Sequence, residues 1–213
     1  ILALSSLGEP AVDAATGFTV RSIKPVTLDP IAGNLMRDYL KGLFGGSIAL
    51  AEDGTRNSKF VNFYDTSDSR GYFTADNGHP DDTFPIDPPE SPAASPAGGD
   101  YDDNFATQVT AVVHLTKGLH IVGAPGEGAA VLEIGGVEVG FAYSRGPADH
   151  NDTDNANGSA EPWKPPFGGD SGGSGMRILT RRDWAFEVQT EGFYPLQLRT
   201  WMGTGGASLE LTQ

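Results

Sequence analysis

An all-β fold, a sandwich or jelly roll with one short helix in its N-terminal half and long Pro/Gly/Asp-rich loops, is what this 213-residue sequence predicts. Three observations predict it. Roughly ten short runs alternate apolar and polar residues with the strand period of two, against one run with helical spacing. Glycine (29) and proline (15) are abundant enough for a turn-rich chain. The longest stretches without alternation carry prolines that forbid a central strand.

The elements follow in order. Residues 1–16 read as an N-terminal extension; they lack a basic n-region and are taken as a mature N-terminus rather than the tail of an export signal. "GFTVRSI" (Gly17 to Ile23) alternates Phe18 and Val20 with Thr19 and Arg21, which predicts a strand. A helix follows. Asp29 caps it, Pro30 suits its first turn, and Ile31, Leu35, Met36, Tyr39, Leu40, Leu43 and Phe44 share one stripe until Gly45-Gly46 ends it. "KFVNFYD" (Lys59 to Asp65) is the next strand. Residues 67–103 read as a surface loop loaded with Pro, Asp and Ser.

A dense β region comes next. "NFATQVTAVVHLT" places Phe105, Thr107, Val109, Ala111 and Val113 on one face, and "LHIVGA", "AAVLEIGG" and "VEVGFAYS" follow it. A second loop covers 146–175. "MRILTR", "WAFEVQT", "FYPLQLRTWM" and "GASLELT" complete the strands of what is expected to be a single domain over 1–213.

Composition excludes several functions. Asp and Glu number 28 against 14 Lys and Arg, a formal charge of -14 that repels nucleic-acid phosphates and anionic lipid. Cysteine is absent, so disulfides, thiolate zinc sites and cysteine nucleophiles are ruled out. No apolar run reaches the roughly 20 residues that span a bilayer.

"GLHIVGAPGEGAAVLEIGG" (Gly118 to Gly136) is the stretch on which an enzyme reading turns. Gly126 and Gly128 have the G-x-G spacing of a dinucleotide loop, but Val131 stands where the third glycine belongs. Only "AAVLEI" follows before Gly135-Gly136, too short for the helix that would aim its positive end at a pyrophosphate. Ala130, Leu132 and Ile134 fall at period two, so the stretch is a strand, a glycine-rich loop and a second strand closed by a Gly-Gly hairpin turn.

The run from Asn104 to Val139 and its echo from Trp184 to Leu211 resemble the PA14 family of β-sandwich modules from bacterial secreted and cell-surface proteins. The resemblance rests on "FATQVTAVVHL", the turn "KG", "LHIVGAP", "AVLEIGGVEV" and the closing "TEGFYPLQLRTWMGTGGASLELT". The opening "GFTVRSI", helix and "FVNFYD" are similar to the front end of such modules. The resemblance implies a non-enzymatic chain, secreted, at the cell surface or periplasmic. In some members it also implies carbohydrate binding through a calcium ion held by adjacent Asp residues in the loop after the second of these strands. Here that loop is Gly123-Ala124-Pro125-Gly126-Glu127-Gly128, with Glu127 its only carboxylate. Calcium takes six to eight oxygens, generally from more than one carboxylate.

Other oxygen-rich loops are calcium candidates: Asp100, Asp102 and Asp103 in "GDYDDN", and Asp152 and Asp154 in "DHNDTDNANG". The second departs from the EF-hand pattern, with Ala156 at its fifth position and Asn157 where glycine is needed. Trp163, in "EPWKPPFGG", is a loop anchor or a platform for a sugar ring or a neighbouring subunit; Trp184 and Trp201 belong to core or edge strands. His79, His114, His120 and His150 are too scattered for a metal site. Ser171 in "GGDSGGSG" resembles a protease nucleophile by coincidence, because the matching His and Asp contexts are missing. Two functions are therefore expected: a structural or interaction subunit of a surface assembly, and, as the alternative, a calcium-assisted carbohydrate-binding module. The expected partners are other protein subunits, including further copies of this chain, or surface glycans.

Overall fold

The computed structural model describes residues 17–25, 34–46, 48–64, 82–86, 105–124, 128–143, 183–202 and 208–211. In chain order they form β1 (Phe18–Pro25), α1 (Asn34–Leu43), β2 (Leu50–Ser58), β3 (Asn62–Tyr64), β4 (Asp82–Thr83), β5 (Phe105–Leu115), β6 (Gly118–Gly123), β7 (Ala129–Ile134), β8 (Val137–Tyr143), β9 (Asp183–Val188), β10 (Gly192–Met202) and β11 (Ser208–Glu210).

Six strands make the large sheet, in the order β2-β1-β5-β10-β7-β8, with every pair antiparallel. Two smaller sheets, β11-β3-β4 and β6-β9, form the second layer. Alternation decides what each layer buries. Val20, Val109, Leu132 and Leu198 point from the large sheet into one core with Phe63, Val122, Trp184, Phe186, Val188 and Leu209 of the smaller sheets. The intervening positions Ile23, Ala106, Val131 and Trp201 point the other way, against Met36, Leu40 and Leu43 of α1. The large sheet is thus covered on both faces under the helix. That double burial is why β7, "AAVLEI", is apolar almost throughout.

Two glycine sites shape the stretch from Gly118 to Gly136. Gly135 and Gly136, at φ 62° and 75°, make the two-residue turn between the paired Ile134 and Val137. At Gly128, φ is 71° and an added Cβ would lie 1.8 Å from the Trp201 carbonyl oxygen. The glycine admits the chain to β7 hard against the β10 backbone.

The structure departs from the sequence reading in four places. β2, "LAEDGTRNS", has no counterpart in that reading; it is an edge strand with mostly exposed side chains, held by its backbone ladder to β1. The strand expected over 59–65 is reduced to Asn62–Tyr64. Within the 67–103 loop, Asp82–Thr83 pair parallel with β3, and the adjoining Phe84 is fully buried. The connections from β5 to β6 and from β6 to β7 cross between layers, since β6 pairs with β9 instead. The helix cap at Asp29, the strand "MRILTR" and the 146–175 loop lie outside the described residues.

Candidate binding surface

The outer face of the large sheet, which α1 covers in part, carries side chains assembled by register from strands far apart in sequence. One row crosses all six strands as Asn57, Thr19, Thr110, Gln197, Glu133 and Glu138. The neighbouring row runs Thr55, Arg21, Gln108, Arg199, Val131 and Phe141, its last two members lying under the helix layer. Thr19 Oγ1 donates to Asn57 Oδ1 at 3.0 Å. At the far end His114 and Phe193 form an edge-to-face ring pair with centroids 5.0 Å apart.

The charges on this face are internally paired. Arg21 grips Asp53 through Nε at 2.9 Å and Nη2 at 2.8 Å, and that hydrogen bond holds the Asp53 carboxyl below the usual carboxylate range. Arg199, nine-tenths buried, donates from Nη1 to Glu133 Oε2 at 2.5 Å and from Nη2 to Gln197. Lys41 of α1 reaches Glu133 Oε1 at 3.1 Å and Glu138 Oε2 at 2.6 Å, and Arg37 lies 3.6 Å from Glu138 Oε1. Burial pushes the Glu133 carboxyl up, but hydrogen bonds from Arg199 and Lys41 outweigh it and hold the group below its usual range. Burial likewise pulls the Lys41 ammonium down, and its bonds to Glu138 and Glu133 lift it above its ordinary value. A carboxylate locked in its ionised form is a poor general acid, and one so strongly paired is a poor base. This arrangement is suited to presenting fixed donors and acceptors, and not to moving protons.

The second layer exposes a different chemistry. On β6, Leu119 and Ile121 point outward and are 72% and 56% exposed. Their partners across the ladder are Glu187 and Ala185 of β9. Between the layers lies an apolar cavity of about 140 Å³, walled by residues such as Val113, Leu115, Ile134 and Leu196, with no ionisable side chain among its lining.

The sequence-derived site residues Asp100, Asp102, Asp103, Glu127, Asp152, Asp154 and Trp163 all lie outside the described residues, as do His79, His150 and Ser171. The described ends of the loop after β6 bring no carboxylate: Ala124 is fully buried and Gly128 is packed on β10. Among the described residues no group of three His, Asp or Glu side chains converges as a metal site. His120 is structural, its Nε2 2.8 Å from the Thr116 carbonyl and its ring stacked on Phe186. Trp184 and Trp201 are core residues, as expected, with Trp201 packed edge-on against Tyr39. Sequence reasoning missed the Glu133, Glu138, Arg199 and Lys41 network. Its one local signal is the pair of glutamates flanking the Gly-Gly turn.

No family model and no curated protein matches the sequence. Solved structures do match. The epithelial adhesin 6 A domain from Candida glabrata, in complex with Galb1-3GlcNAc, aligns with 97% of this chain and 83% of its own at a TM-score of 0.51 and 12% identity. A PA14 sugar-binding domain from an RTX adhesin aligns with 92% of this chain and 89% of its own, at TM-score 0.49 and 11% identity. The PA14 domain of the antifreeze protein MpAFP aligns with 98% and 87%, at TM-score 0.49 and 10% identity. The likeness to the adhesin domain is one of fold, an all-β sandwich with one helix among the described residues.

Proposed function

We propose that this chain is a non-enzymatic interaction subunit of an extracellular or cell-surface assembly. The observation that carries this reading is the charge-compensated outer face of the large sheet. Ionisable groups from five strands and the helix are paired there as Arg21–Asp53, Arg199–Glu133 and Lys41–Glu138, which fix donors and acceptors in place. The -14 formal charge supports partners other than nucleic acid. No helix among the described residues is long and apolar enough to cross a membrane. Light scattering on native material tests the proposal. A particle heavier than one chain, containing further protein, is the expected result; single chains that turn over a glycoside or ester substrate would overturn it.

A second reading is carbohydrate binding. It is favoured by the fold shared with an adhesin domain whose structure holds Galb1-3GlcNAc, and by the neutral row Asn57, Thr19, Thr110 and Gln197, whose hydroxyls and amides both donate and accept. Binding on a glycan array supports it, and an array without hits removes it. Calcium, if it assists, does so through the Asp100–Asp103 and Asp152–Asp154 segments. A cation bound at 100 times its Kd adds about 2.7 kcal/mol of stability, so an unchanged melting temperature in millimolar calcium eliminates that assistance.

A further inference from the structure

We infer that the cavity between the layers is a binding site for a small uncharged hydrocarbon of about benzene's size. The inference is independent of the outer face and of any partner that face meets.

Every side chain lining the cavity is a hydrocarbon. Leu196 of β10 stands directly across from Ile134 of β7, Leu115 comes from β5, and Val122 of β6 faces them from the second layer. These four are at most 5% exposed. Phe18, Val113 and Leu211 are only partly buried, and they mark the side from which a ligand enters. Backbone bonds hold the frame. The Leu211 N–H donates to the Val61 carbonyl at 3.0 Å, and the Gly135 N–H donates to the Pro195 carbonyl at 2.8 Å, beside the Ile134–Leu196 pair. Packed walls relax only partly around a void, so walls tied in this way keep the space open.

Size and polarity choose the ligand. An ordered water needs two to four polar partners, and no lining side chain offers one. An apolar cavity of about 150 Å³ walled by Leu, Ile and Phe stays dry and takes benzene. The cavity here, of about 140 Å³, has that size and that wall chemistry. A carboxylate, an ammonium or a hydroxyl would give up its hydration against these walls and gain no partner. A sugar is excluded on the same ground, which separates this site from the Asn57, Thr19, Thr110 and Gln197 row on the outer face.

Isothermal titration of the full chain with benzene, and with phenol as its hydroxylated counterpart, tests the assignment. Benzene should bind saturably with a Kd of about 1 mM or below. At ten times that Kd it should raise Tm by about 3 °C or more. Phenol should bind at least about tenfold more weakly, because its hydroxyl finds no partner. V113F places a ring of the chain's own at the mouth; it should abolish benzene binding and leave Tm at or above that of wild type, as cavity filling does. L196A enlarges the cavity and lowers Tm; isobutylbenzene should gain at least about fivefold over benzene relative to wild type. That size preference decides the matter should V113F fail to fold. No saturable binding of benzene, phenol bound as tightly as benzene, benzene binding undiminished in folded V113F, or an unchanged size preference in L196A overturns the inference.

Discussion

Gly140→Ala is a severe test of how the two layers meet. Gly140 lies on β8 in the large sheet, and Trp184 lies on β9 in the second layer. A Cβ placed on Gly140 would sit 2.2 Å from Cδ1 and Cγ and 2.3 Å from Cδ2 of the Trp184 ring. Carbon atoms prefer about 3.5–4.0 Å, so the ring must withdraw by more than an ångström. It has nowhere to go, being 1% exposed within the core. Overpacking of this kind costs about 3 kcal/mol, which in a chain of this size lowers Tm by about 6–12 °C. Thermal unfolding followed by near-UV circular dichroism reads it out. The cycle with Trp184→Ala isolates the contact, because the ring atoms Cγ, Cδ1 and Cδ2 that would meet the new Cβ are all removed. Trp184 Nε1 has no acceptor among the described residues, so removing the indole sacrifices no hydrogen bond there. In the Trp184→Ala background the glycine substitution should cost about 1 kcal/mol or less, a coupling near 2 kcal/mol. A Tm loss under about 2 °C, or additivity of the two changes, would show that β8 and β9 do not meet as described.

Three further outcomes are expected. Phe84→Ala should lose about 3–5 kcal/mol in denaturant unfolding, as for a fully buried aromatic, although it falls in a stretch that reads as loop. Glu133→Gln should flatten the acid limb of the stability curve. The folded carboxyl titrates below its ordinary value, so its ionised form contributes stability that is fully present above about pH 4.3 and lost as pH falls through the lower folded value; melting temperatures from pH 6 down to about pH 3 should therefore fall further in wild type than in the variant. Gly136→Ala should cost about 1–2 kcal/mol, because φ is 75° with no neighbouring atom in the way, and Gly136→Asn should cost less; equal losses by calorimetry would contradict the turn geometry.

Strands from β5 to β10 were legible because each buries at least one face, and β7, buried on both, shows instead as a short apolar run between glycine turns. The helix was legible from its stripe, of which Met36, Leu40 and Leu43 are buried and Tyr39 and Phe44 partly so. β2 was not, because an edge strand with mostly exposed side chains has no contrast between faces; what holds it is backbone pairing and the Arg21–Asp53 bridge. Phe84 was hidden by its surroundings, one aromatic beside a two-residue strand in a proline-rich stretch. The polar face was illegible for a different reason. Arg199 and Glu133 are 66 residues apart, and Lys41 and Glu138 are 97 apart, so only sheet register brings them together. On β6 the pattern "LHIV" announces a strand and conceals which side faces water.

The most direct test of an interaction module is hydroxyl-radical footprinting of native material against the isolated chain. Leu119 and Ile121 are 72% and 56% exposed in the isolated chain and should oxidise readily. In native material their oxidation should drop severalfold, the protection conferred by a buried interface core, while Tyr194 and Phe105, already buried, stay unreactive in both. Identical footprints over every exposed side chain would mean that this surface meets no partner, and an interaction role would be contradicted.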